Sequence, residues 1–196
     1  MTKVRSLLCG LLIGIFVLVF PGKAIAGTDW SVTLYGAVML DGNLVDASIF
    51  YRGFEDSYFW VAALGKKVAS YEEKIDVEVE GQIVKHHGAQ SHWEFNGLVA
   101  ARWLPLPWDD YLDTSIAGGA GLSYASEIPK FEEERRGEGQ TAQLLAYLML
   151  ELAFSLPAIP NWSLVTRIHH RSGAFGVFDG VTGGSNAWGF GIRYSF

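Results

Sequence analysis

The chain is almost without cysteine. Its single thiol, Cys9, lies near the start of 196 residues. Everything beyond that point is therefore closed to disulfides, thiolate metal sites and cysteine nucleophiles. Cys9 does not fit a lipid-modified cysteine, because it comes before the apolar run and follows Leu8 rather than a small residue. Past residue 27 there is also no unbroken apolar run of the roughly 20 residues that a helix needs to span a bilayer. Basic residues are scarce, with 15 Lys+Arg against 21 Asp+Glu and a net charge of −6. Three of the 15, Lys3, Arg5 and Lys23, fall before residue 27 with no acid among them, leaving 12 against 21, a formal charge of −9. That balance does not suit a nucleic-acid partner.

What is present is apolar and aromatic. Hydrophobic residues make up 49% and aromatics 14% of the chain, too much for disorder and consistent with one domain. The first residues stand apart. Lys3 and Arg5 precede the apolar stretch 7–20, and Ala24 and Ala26 then form an A-x-A site. This layout predicts a signal peptide over 1–26, cleaved after Ala26, and an exported single domain over 27–196.

The domain repeats a period of two in about eight segments separated by turn residues. In KIDVEVEGQIV, Ile75, Val77, Val79 and Ile83 oppose Asp76, Glu78, Glu80 and Gln82. In SLVTRIHHRS, Leu164, Ile168, His170 and Ser172 oppose Arg167, His169 and Arg171. NAWGFGIRYSF closes the chain with Trp188, Phe190, Ile192, Tyr194 and Phe196 in one phase. A soluble sandwich alternates too. Three features favour membrane: Trp and Tyr gather near strand ends on the apolar faces, the polar faces carry both charge signs, and the last strand ends on Phe as outer-membrane barrels do. Lipid offers no water to an unpaired backbone group, so such a sheet must close. The expected fold is all-β, an eight-stranded antiparallel transmembrane β-barrel of outer-membrane type.

An even strand count puts both termini on the periplasmic side, with 104–110 and 156–161 as short periplasmic turns. Trp30, Trp103, Trp108 and Trp162 are the expected girdle at that rim. The expected outer loops are 41–56, 85–91, 125–141 and 173–184. The mixed charge run EIPKFEEERRGEGQ, 127–140, reads as a solvated loop. His169 should point inward, onto Glu151 or Glu94. His170 and Ser172 should face lipid at the level of the outer leaflet, where polar groups are costly and usually have a reason.

His170-Arg171-Ser172, an H-x-S on the penultimate strand followed by a glycine-rich loop and the final strand, resembles the lipid A 3-O-deacylase family of outer-membrane barrels. The resemblance implies a serine esterase in the outer membrane of a Gram-negative bacterium, acting on lipid A or lipopolysaccharide. It implies His170 as base, Ser172 as nucleophile and an acid early in the last strand. This sequence departs from the family there, because the outward position is Asn186. Asp179, in the loop GVFDGVTGG, is the alternative. Backbone N–H groups of Gly173 and Ala174 are the expected oxyanion donors, and Leu164, Ile168, Trp188 and Phe190 the expected wall for acyl chains. The competing reading is a non-enzymatic barrel with a structural or ligand-binding role. No cofactor is implied. The five histidines are divided between opposite walls and faces, so no metal site is expected. Pairing of two barrels into a homodimer is left open.

Overall fold

A computed structural model describes residues 29–41, 53–136 and 141–196; the expected signal peptide and much of the first outer loop lie outside them. Eight strands follow in order: β1 (Trp30–Leu40), β2 (Phe54–Tyr71), β3 (Ile75–Gly88), β4 (Trp93–Trp103), β5 (Asp113–Ala125), β6 (Leu144–Ser155), β7 (Trp162–Ser172) and β8 (Gly184–Ser195). A short helix, α1 (Lys130–Arg136), lies between β5 and β6. Each strand pairs antiparallel with its neighbours, and β1 pairs with β8 to close the barrel. Reciprocal backbone bonds between Trp30 and Phe196, of 3.1 and 2.8 Å, finish that seam. The expected fold class is therefore the observed one.

The alternation sorts side chains as the period-two pattern requires. On β3, Asp76, Glu78, Glu80 and Gln82 are buried in the interior, whereas Val79 and Ile83 are exposed on the outer wall. Trp30, Trp103, Trp108 and Trp162, all exposed, mark one rim. Strands β2 and β3 outrun the other strands, and β2 has 18 residues where a tilted span needs roughly 9–11. The β2–β3 connection is the three residues Glu72, Glu73 and Lys74, closed by Lys74 N–H on the Tyr71 carbonyl (2.9 Å), and Glu72 (φ 50°) and Glu73 (φ 56°) both take left-handed backbone. This is the twist that a tight hairpin favours, carried by residues that adopt it reluctantly.

The interior is a layered set of charge pairs. In the lower layer Arg167 donates to both oxygens of Glu80 at 2.7 and 2.9 Å and also to Glu151. Arg102 joins Glu78 (2.8 Å) to Glu151 (2.6 Å), and Arg193 reaches the same two carboxylates at 2.8 and 3.4 Å. Three guanidiniums thus meet three carboxylates, and each charge has partners drawn from across the barrel. Above them Glu94 lies between His169 (2.8 Å) and His86 (3.0 Å).

The run 127–140 is not simply a solvated loop. Glu132, in α1, is buried at 4% exposure. It accepts from Arg171 Nη1 (2.8 Å) and Ser185 Oγ (2.6 Å), so it caps the outer mouth.

Candidate functional site

The site is set by the parity of β7 and its register against β8. Val165, Arg167, His169 and Arg171 are buried in the interior, and the alternate residues Leu164, Ile168, His170 and Ser172 lie on the outer wall. His170 stands directly opposite Asn186, and Ser172 opposite Gly184. His170 Nδ1 is 2.7 Å from Asn186 Oδ1. An amide oxygen only accepts, so Nδ1 carries the proton and donates, which leaves a lone pair on Nε2. Asn186 is 1% exposed beneath the half-buried imidazole, so the ring is held by a fixed partner.

Ser172 Oγ does not hydrogen-bond to His170. It accepts the Ala174 N–H at 3.1 Å. On a strand, residues i and i+2 have Cα atoms about 6.5–7 Å apart on one face. Rotation of the serine side chain therefore decides whether its hydroxyl meets the amide or the imidazole.

The loop after Ser172 is tightly wound. Its backbone bonds run Gly173 N–H to Gly183 C=O (2.9 Å), Phe178 N–H to Gly173 C=O (3.1 Å) and Val181 N–H to Phe178 C=O (2.9 Å). Ala174 (φ 48°) and Phe175 (φ 58°) are both left-handed. Two expectations change here. The Gly173 N–H continues the strand ladder to Gly183, so it is spent and is not an oxyanion donor. Gly173 is glycine because the loop crosses itself: a Cβ there would sit 2.0 Å from the Val181 carbonyl oxygen. Ala174 N–H, already at the serine oxygen, is the remaining donor of the expected pair. Asp179 is exposed in the same loop at φ 52°, and the side-chain hydrogen bond of His170 goes to Asn186 instead. Asn186, not Asp179, is the residue beside the imidazole.

His169 points inward, as its phase requires. Its partner is Glu94, with the Tyr35 and Tyr147 hydroxyls at 3.2 and 3.3 Å from Nδ1. Glu151 is occupied by arginines instead. Below the site, Leu164 and Phe190 are exposed and Ile168 and Trp188 half-buried, with the Trp188 indole N–H on Thr166 Oγ1 at 2.6 Å. This forms an apolar outer wall directly beneath His170.

The latch behind the site was not legible from the sequence motif. Arg171, between His170 and Ser172, points inward and binds Ser123 Oγ (2.9 Å), Glu132 and the carbonyl of Gln143 (3.1 Å). Ser185, next to Asn186, binds the same Glu132. The two strand ends that carry His170, Ser172 and Asn186 are therefore tied together from within. The one available signal was the phase of Arg171 and Ser185, opposite to that of their neighbours.

No family model matches the chain, and no curated protein matches it in sequence. Among solved structures it is similar to the outer membrane enzyme PagL, with a TM-score of 0.54 at 10% identity, covering 84% of this chain and 99% of that one. It is also similar to Neisserial surface protein A (NspA), with a TM-score of 0.51 at 13% identity, covering 85% and 97%. At such identities the likeness is one of fold: an eight-stranded barrel of the outer-membrane type.

Proposed function

We propose that this barrel is an integral outer-membrane serine esterase that removes an ester-linked acyl chain from lipid A or a related glycolipid in the outer leaflet. The observation that carries the reading is the His170–Asn186 hydrogen bond on the lipid-facing wall, one strand step from Ser172. A histidine with its Nδ1 proton engaged and its Nε2 free is in the tautomer a general base requires. An outward position at a strand end brings it to the level of the ester linkages of the outer leaflet, with acyl chains lying along Leu164, Ile168, Trp188 and Phe190.

In the reaction, Ser172 turns from Ala174 N–H toward His170 Nε2 and gives up its proton there as Oγ attacks the ester carbonyl. Release of Oγ frees the Ala174 N–H to face the developing oxyanion. The tetrahedral intermediate collapses as its bond to the sugar oxygen breaks, and His170 gives the proton to that departing oxygen, which leaves as the sugar hydroxyl. Water, deprotonated by the same nitrogen, then releases the fatty acid and restores Ser172. Asn186 keeps the ring oriented throughout, but as an amide it offers the imidazolium no countercharge. In a serine protease the change from Asp to Asn costs about 10⁴ in rate, so a slow enzyme is the expectation.

The second reading, a non-enzymatic barrel, is favoured by the resting contact of Ser172 with Ala174 rather than His170. Mass spectra of lipid A from cells expressing the protein separate the two. Loss of one hydroxyacyl chain, abolished by Ser172→Ala, supports the esterase; an unchanged spectrum from a folded, heat-modifiable barrel supports the second reading.

A further inference from the structure

On the wall across from His170, a second cluster at the outer mouth is unused by this chemistry. The His86 N–H donates to the His92 carbonyl at 3.0 Å, so these two residues face each other across the β3–β4 hairpin. Glu94 lies two residues beyond His92 and shares its inward face. All three side chains are buried, at 3%, 3% and 0% exposure. The two imidazoles stack at 4.1 Å with 14° between their planes, and one donor atom from each of the three residues lies within 4.8 Å of the others. Two polar atoms of this cluster have no partner although they are buried, His92 Nε2 and Gln90 Oε1. A buried ring nitrogen without a partner, on a ring stacked against a His–Glu pair, is costly unless something occupies it.

We propose that the outer end of the β3–β4 hairpin is a binding site for one zinc ion, ligated by His86 Nε2, His92 Nε2 and Glu94 Oε2. Two imidazoles and a carboxylate are a donor set that suits zinc, with water in the fourth position. Around a tetrahedral ion with bonds of about 2.0–2.2 Å, neighbouring donors sit about 3.4 Å apart. His86 Nε2 and Glu94 Oε2, now 3.0 Å apart, therefore open slightly, while His92, in the hairpin loop rather than in either strand, draws in by roughly 1 Å and turns its ring out of the stack so that the lone pairs converge.

The hydrogen bonds around His86 show how the site exchanges a proton for a metal. At present Gln90 Nε2 donates to His86 Nδ1 at 3.1 Å, which makes Nδ1 an acceptor and leaves the Nε2 proton on Glu94 Oε2 at 3.0 Å. Half a turn of the Gln90 amide presents Oε1 to Nδ1 instead. The ring proton then resides on Nδ1, held by Gln90, and His86 Nε2 offers its lone pair to the ion. One proton moves between nitrogens and none is lost, and both orphaned atoms gain partners. His169 keeps the other oxygen of Glu94 at 2.8 Å and so fixes the carboxylate's orientation. Arg171 Nε, 3.9 Å from Glu94 Oε2, opposes a cation, but its guanidinium is drawn to Glu132 at 2.8 Å. Counting histidines alone hides this site, because its third ligand is a carboxylate.

The test is equilibrium dialysis of the untagged, full-length folded barrel in detergent against zinc chloride, with metal content measured in the protein. One ion per barrel is expected. His92→Gln removes a side-chain nitrogen that has no other partner, so folding is retained and affinity falls at least about tenfold, the size of effect seen when even an outer partner of a metal ligand is lost. His87→Gln, on the outward phase and stacked on Tyr58, binds as the wild type does. The urea midpoint should rise with zinc in the wild type and not in His92→Gln. Absence of stoichiometric zinc, or equal binding by His92→Gln, overturns the proposal.

Discussion

Replacing Asn186 by Asp restores a carboxylate beside the imidazole and is the sharpest perturbation of the proposed chemistry. At the 2.7 Å separation of His170 Nδ1 and Asn186 Oδ1, a full charge pair is worth about 6 kcal/mol at an effective dielectric of 20. That gross attraction is felt only when the imidazolium forms, so it acts on the transition state rather than on the resting enzyme. Against it stands the cost of a carboxylate at a position that is 1% exposed, several kcal/mol after relaxation. If between a half and nearly all of the attraction survives, the barrier falls by about 3–5.5 kcal/mol, a rate gain of roughly 10²–10⁴. The upper end matches the loss seen when a triad carboxylate becomes an amide. The assay is release of fatty acid from purified lipid A in mixed micelles, with Ser172→Ala as the background. A folded Asn186→Asp barrel that is no faster than the wild type refutes Asn186 as the residue that serves the base.

Two further outcomes follow from the interior and from a turn. Glu151→Gln takes one carboxylate from a cluster of three acids and three guanidiniums and leaves an uncompensated buried charge. It should destabilise the barrel by about 3–5 kcal/mol, read as the urea midpoint of the gel-mobility shift. Pairing it with Arg193→Met should recover part of the loss, and strict additivity of the two would contradict the coupling seen in the contacts. Glu72→Asn with Glu73→Gly relieves two left-handed non-glycine residues and should raise stability by about 1 kcal/mol; an unchanged midpoint would show that the turn carries no strain.

The faces of the strands were legible because alternation depends only on parity. Glu78 and Glu80 had to point one way and Val79 the other, and a single-residue slip would have reversed every assignment on β7 together. The same parity placed His170 and Ser172 outward and His169 inward. Which carboxylate receives His169 was not legible. Glu94 and Glu151 share the interior, and the choice depends on the stagger of strands around the cylinder, which no single segment encodes. Glu132 was hidden for a different reason. It sits in a charge run whose composition suits solvent, and its burial arises from Arg171 and Ser185, far away in sequence. Gly173 was expected to lend its N–H to an oxyanion, whereas its lack of a side chain serves the crossing of Val181.

The layered interior bears on how such a chain enters a bilayer. Glu78 meets Arg193 across 115 positions of sequence, and Glu80 meets Arg167 across 87. Zipping neighbouring hairpins already joins Arg102 to Glu78 and Arg167 to Glu151, but Arg193 of β8 finds its carboxylates only on β3 and β6, so an open sheet would leave that guanidinium bare until the cylinder closes. Insertion of the final strand is thus coupled to ring closure, because only the closed cylinder brings Arg193 to Glu78 and Glu151 and hides its charge from hydrocarbon.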